Sequence, residues 1–187
     1  MLRPDRHFVN LYNMLLEFVE RGLIDLELVK PLFSELGINL RVIRERGTYK
    51  LYIRTWTGRE SPLDYSPSGA RELIPVLLAL ASYPMPRAVF IEEPEAHLHP
   101  RAQRILAGTI AKTINRLKKH VFVTTHSDYL VYALNNLIIL SRDLSRARAL
   151  GYSEDELLKP EDLAVYLVKQ VNNRAVLERL EVTPEGF

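Results

Sequence analysis

The stretch Ala88–Asp128, AVFIEEPEAHLHPRAQRILAGTIAKTINRLKKHVFVTTHSD, decides the fold of this chain. It opens on the apolar run Ala88–Ile91, passes through three glutamates and two histidines, and enters a segment of helical period from Pro100 to Lys119. A second apolar run from His120 then ends in Thr-Thr-His-Ser-Asp. Short apolar runs bounded by polar clusters read as buried strands, and the segment between them as an amphipathic helix with basic residues in its last turn. Strand, helix and strand in that order predict a right-handed crossover between parallel strands, with the functional loops at the strands' carboxyl ends. Both polar clusters, Glu92–His97 and Thr125–Asp128, fall at those ends.

The flanks complete an α/β reading of one domain over residues 1–187. Phe8, Leu11, Leu15, Phe18 and Val19 recur at helical intervals up to a stop at Gly22, and a second helix follows around Leu26–Leu36. Ile38, Leu40 and Val42, then Tyr49, Leu51 and Ile53, alternate with polar residues on either side of Arg46-Gly47, the pattern of a β-hairpin. The Ser- and Pro-rich loop GRESPLDYSPSGA leads into a buried helix over Arg71–Ser82, where Pro75 is tolerable because the first turn lacks backbone acceptors. Past the decisive stretch, Leu137–Leu140 (LIIL) reads as a third strand, Ser141–Leu150 is rich in arginine, and Ser153 opens a capping box. The close reads as two strands across Asn172-Asn173. The expected divisions are a helical segment over 1–36, the hairpin over 37–60, the core over 61–140 and a C-terminal extension over 141–187.

Composition sets bounds. At 187 residues, 47% hydrophobic and 26% charged, the chain is long enough for one packed core. A formal charge of +2 is too small to demand an acidic partner. The absence of cysteine excludes a disulfide framework, a thiolate zinc site and a cysteine nucleophile. The longest apolar run, Leu73–Ala81, is too short to span a bilayer, and the charged start lacks a signal-peptide core, so the expectation is a cytoplasmic protein without membrane contact.

Three chemistries compete for the acidic cluster. Glu93, Glu95, His97 and His99 alternate and would converge on a metal in a continued strand, but Pro94 and Pro100 interrupt it and no helical His-x-x-x-His pair is present. A solvated loop of charges is the plain alternative, and an acid/base pair for hydrolysis the third. A nucleotide site uses more of the residues. Phosphoanhydride hydrolysis needs a divalent ion to neutralise charge and a carboxylate to orient or deprotonate water. Glu92 and Glu93 would supply these two roles, and His126, ending the adjacent strand, would face the γ-phosphate. Ser66–Glu72 (SPSGARE) adds a small turn opening a helix, whose amides and dipole favour an anion.

SPSGARELIPVLLAL, AVFIEEPEAHLHPRAQ and VFVTTHSDYLVYALN, taken together and in this order, resemble the signature motif, the Walker B with D-loop, and the switch histidine of ABC-type ATPases. The resemblance is to the OLD, RecF and SMC-like branch, covers Ser66–Asn135 closely, and implies a P-loop NTPase-like fold with ATP and Mg2+ as cofactors. It implies that Ser66, Ser68 and Gly69 belong to the nucleotide-touching signature loop, that Glu92 serves magnesium, that Glu93 is the catalytic carboxylate and that His126 is the switch histidine. Glu95–His99 would form the D-loop region at a dimer interface, which makes His97 and His99 structural or communicating residues. An ATP-dependent dimer is implied as well.

One departure limits what the chain does alone. No Gly-x-x-x-x-Gly-Lys-Ser/Thr loop occurs among its eight glycines, so the β- and γ-phosphates have no cradle and no lysine. The chain is therefore expected to act with a Walker A-bearing N-terminal lobe or partner chain, or else to be a relative that kept the fold as an interaction module. The survival of Glu93, His126 and Ser-x-Ser-Gly favours the first. The arginines of Ser141–Leu150 and of the Arg116–Lys119 helix end leave nucleic acid open as a partner, although such groups also serve as solvated helix faces.

Overall fold

The computed structural model describes residues 6–83 and 87–187, with side chains described from residue 11 onward, so the expected packing of Phe8 lies outside the described side chains. Helix α1 (Arg6–Glu20) ends before Gly22, whose φ of +68° is the left-handed conformation that glycine adopts freely. Helix α2 (Leu26–Glu35) is capped by Asp25, which accepts from the Leu28 backbone at 3.2 Å, and buries Leu28, Val29, Leu32 and Phe33. Strands β1 (Ile38–Glu45) and β2 (Thr48–Thr55) pair antiparallel across Arg46-Gly47, both at positive φ, as the alternation required. A third strand, β3 (Glu60–Pro62), pairs with β2 and has no alternating pattern of its own to announce it.

Helix α3 spans Ser68–Ala81, three residues further upstream than its apolar period suggests. Pro75 consequently lies in the interior and not in the first turn, where its ring removes the donor to the Arg71 carbonyl. Burial of Leu73, Ile74, Leu77, Leu78, Leu80 and Ala81 offsets that loss. Strand β4 (Ala88–Glu92), helix α4 (Pro100–Leu117) and strand β5 (His120–Thr124) form the expected unit, with β4 and β5 parallel and Glu92 beside Thr124. Lys118 closes α4 in the left-handed region.

Two expectations are corrected. LIIL is not a strand: helix α5 runs through it, Asp128–Leu140, capped by the Ser127 hydroxyl. Leu130, Ala133 and Leu137 recur at three- and four-residue spacing and, with Ile138, pack in one cluster with Ala107 and Ala111 of α4, so the helical face wins over local β-propensity. Nor are β4 and β5 buried on both faces. Val89 and Ile91 join the core beneath α3 and α4, whereas Phe90 is 76% and Phe122 54% exposed, stacked on each other at 4.5 Å with their rings 7° apart.

Helix α6 (Leu144–Ala149) and a tied-down extension follow. Glu156 closes the capping box by accepting from the Ser153 backbone at 2.8 Å, and Asn115 of α4 donates to the carbonyls of Asp155 and Leu157 at 3.0 and 2.7 Å. Strands β6 (Val165–Val171) and β7 (Arg174–Leu180) form the expected hairpin across Asn172-Asn173. Among the described residues no helix is long and apolar enough to cross a membrane.

One buried cation ties α3 to β5. The Lys119 ammonium, 5% exposed as a residue, donates to the Ala79 carbonyl at 2.7 Å and to the Ser82 hydroxyl at 3.1 Å. Burial pushes it from its ordinary value of 10.5 down to about 8. Below about pH 8 the lysine is charged in both folded and unfolded chains. Between about 8 and 10.5 the folded chain loses that proton first, so the unfolded chain binds more protons and stability rises with pH. Thermal melts of the wild type and Lys119→Met between pH 7.5 and 10 should show the wild type gaining on the variant as pH increases. A constant difference would mean that the ammonium is not desolvated. Tyr12, pushed up to about 12 chiefly by burial, acts in the opposite sense only above pH 10 and does so in both proteins.

Candidate functional site

The site lies where β4 and β5 end. The Glu93 N–H donates to the Thr124 carbonyl at 2.9 Å, continuing the parallel ladder one step past the strand. At Glu93 the backbone then turns into the left-handed region, φ +44°, a conformation that costs energy for a residue with a side chain and is concentrated at functional positions. The Ala96 and Leu98 amides donate back to the Glu93 and Glu95 carbonyls, both at 2.9 Å, winding the chain into successive turns. Glu93 Oε1 thereby stands 3.7 Å from His126 Nε2, with side chains 56% and 90% exposed. Two residues 33 positions apart, drawn from separate motifs, meet at the mouth of the sheet.

Glu92 is the last residue of β4 and belongs to the same face as Phe90, since alternate residues of a strand share a face. Glu92, Phe90 and Phe122 are all exposed, in contrast to the buried Val89 and Ile91. The carboxylate thus terminates an uncovered apolar surface.

The four residues that alternate through the cluster go to four different places. Glu93 faces His126, and Glu95 is buried beneath the loop after β5. His97, at φ +63°, approaches Glu72 of α3 at 3.7 Å, and His99 caps α4, its Nδ1 accepting from the Arg101 backbone at 3.4 Å. Pro94 and Pro100 break the strand that would have aligned them. Among the described residues no group of three or more His, Cys, Asp or Glu side chains is placed to hold a metal ion.

Among the described residues Ser66, Ser68 and Gly69 make no hydrogen bond to that pair. Ser66 is buried, donating to the Pro62 carbonyl at 3.2 Å, and Ser68 begins α3. Gly69 has a packing reason to be glycine: a Cβ there would lie 3.1 Å from the Cβ of His97. The loop opening α3 therefore rests against the loop following β4. The basic segments are engaged within the chain, since Arg116 pairs with Asp25 at 3.2 Å, Arg142 with Glu185 at 2.7 Å and Arg148 with Glu154 at 3.5 Å.

A parallel strand pair crossed over by α4, with its polar loops at the carboxyl ends and helices on one face, is an α/β arrangement of the P-loop NTPase type, as in the heads of SMC ATPases. One solved structure, from work on ATP-driven dimerization and DNA-stimulated activation of SMC ATPases, aligns over 91% of this chain and 88% of its own at 14% identity and TM-score 0.55. An SMC head bound to the C-winged-helix domain of ScpA aligns over 83% of this chain at 14% identity and TM-score 0.56. An SMC head with an extended coiled coil, bound to the C-terminal domain of ScpA from Pyrococcus furiosus, aligns over 83% at 12% identity and TM-score 0.54. This chain spans only 43% and 35% of the last two, and at such identities the likeness is one of fold. No curated protein matches. The model of the family described as "AAA domain, putative AbiEii toxin, Type IV TA system" matches residues 5–131, and the chain belongs to that family.

Proposed function

We propose that this chain supplies the hydrolytic half of a Mg–ATP site and that a Walker A-bearing lobe or partner chain supplies the phosphate-gripping half. The observation that carries the reading is the 3.7 Å approach of Glu93 to His126 at the carboxyl end of β4, next to Glu92. These groups suit the metal and γ-phosphate end of a nucleotide site: two exposed carboxylates and an exposed imidazole at the ends of adjacent strands. They do not suit the other end, because the sequence carries no Walker A loop.

In this reading Glu92 would hold a magnesium ion, which when bound would supply neutralisation of the phosphate charge. Glu93 orients the attacking water and accepts its proton, and His126 donates to a γ-phosphate oxygen. Ser66, Ser68 and Gly69 at the start of α3 present a helix N-terminus to the nucleotide of a second protomer, which makes an ATP-dependent dimer part of the proposal. The partner lobe covers the Phe90–Phe122 surface. Parallel strands are normally sheltered on both faces, and this bare surface runs directly to Glu92, where the phosphates must arrive.

ATP turnover of the chain alone and of the chain combined with the polypeptide carrying the Walker A loop tests the proposal. The chain alone should hydrolyse little, and the combination should turn over Mg–ATP. Association that is indifferent to ATP and to His126→Ala would instead identify an interaction module, and stoichiometric zinc or manganese in the isolated chain a metallohydrolase.

A further inference from the structure

The third glutamate of the cluster has the least ordinary surroundings. Glu95 is 8% exposed. Its Oε1 accepts from the Thr125 hydroxyl at 2.5 Å and from the His126 backbone N–H at 3.1 Å, while its Oε2 is buried with no hydrogen-bond partner among the described residues. Burying a carboxylate is unfavourable, and leaving one oxygen unsatisfied makes it more so. A neutral side chain would fill the space at lower cost. The charge is therefore poorly explained by stability and well explained by what it holds.

What it holds is the backbone that carries His126. Thr125 Oγ1, which donates to Glu95, also accepts from the Ser127 N–H at 3.0 Å, closing the loop after β5 into a fixed turn. A second tie runs in parallel. The Ser127 hydroxyl donates to Gln103 Oε1 at 2.5 Å, and the Gln103 amide donates to the Leu98 carbonyl at 2.9 Å. The loop following β4 is thus bonded to the loop following β5 twice, through Glu95 and through Gln103. Of these two ties, the one through Glu95 reaches the His126 backbone.

We propose that Glu95 is the positioning residue of the site: by gripping Thr125 and the His126 amide, its buried carboxylate sets where the imidazole stands relative to Glu93. The proposal rests on the reading of His126 as a phosphate donor. It gives Glu95 a role within its own chain, beneath the switch loop, where the motif alone suggested a surface between subunits.

Two readouts test it, one of them independent of nucleotide. Amide hydrogen exchange in Glu95→Ala should quicken at His126 by about tenfold or more, as expected on losing a charge-assisted bond, with Val121 and Val123 of β5 unchanged. Glu95→Gln, which keeps an acceptor, should lie between. In the assembled ATPase, Glu95→Ala should lower kcat about tenfold or more at constant KM for ATP. Adding it to His126→Ala should cost nothing further, because both changes remove one unit. If Glu95→Ala does not fold, Thr125→Val removes one of the two donors and carries the same comparison. Unaltered exchange at His126 would overturn the positioning role, and losses that multiply in the double variant would overturn the coupling. If exchange responds but His126→Ala leaves turnover intact, the phosphate role of His126 fails and the proposal falls with it.

Discussion

Glu93→Gln is expected to lower ATP turnover of the assembled ATPase by about 10²- to 10⁴-fold, the range for removing a positioned general base. The substitution keeps the shape of the side chain and its exposure, so the left-handed turn at Glu93 and the Glu93 N–H bond to Thr124 have no reason to change. It removes the proton acceptor alone. ATP-dependent association should therefore persist and outlast that of the wild type, since the nucleotide that holds the assembly is no longer consumed. Steady-state turnover and size-exclusion chromatography with Mg–ATP read the two effects separately. Wild-type turnover in the Glu93→Gln assembly would show that another group activates the water.

Phe90→Asp should abolish assembly with the Walker A-bearing lobe while leaving this chain folded. Phe90 is 76% exposed and, among the described residues, stacks on the similarly exposed Phe122, so the isolated chain loses little by the change. In the assembly the same position becomes a desolvated aromatic anchor, and a carboxylate there would be buried unpaired. Losses at such anchors run to about 30-fold or more in affinity, and an unpaired buried charge adds to them. Titration calorimetry with the lobe, alongside circular dichroism of the variant alone, makes the test. Undiminished affinity in a folded Phe90→Asp chain would show that the partner sits elsewhere.

Much of this architecture was legible in the residues. Alternation placed the hairpin at Arg46-Gly47 and the turn signal the one at Asn172-Asn173, helical period placed α1, α2 and α4, and the apolar runs placed β4 and β5 with their polar ends at Glu92 and Thr125. Where reading failed, tertiary contact had overridden a local signal. LIIL is as apolar as a strand, and its helical form goes with burial of Leu137 and Ile138 in one cluster with Ala107 and Ala111 of α4, a tertiary contact the local pattern does not carry. Pro75 looked like a first-turn residue because the polar start of α3 carries no apolar period.

The same division holds at the site. Glu92, Glu93 and His126 fall at the ends of two short apolar runs in the sequence, the residue types that chemistry on a phosphoanhydride uses, and the structure brings Glu93 and His126 to 3.7 Å. Distance and burial were not in the sequence. The sequence could not separate Glu93 from Glu95, two carboxylates two positions apart. One turns outward to His126 and the other inward beneath it, since the backbone bends left-handed at Glu93 and the half-buried Thr125 offers a donor to Glu95. Nor could it show that the apolar strand ending in Glu92 is covered on only one face. Burial depends on which helices pack there, and α3 and α4 shelter Val89 and Ile91 while leaving Phe90 and Phe122 in the open.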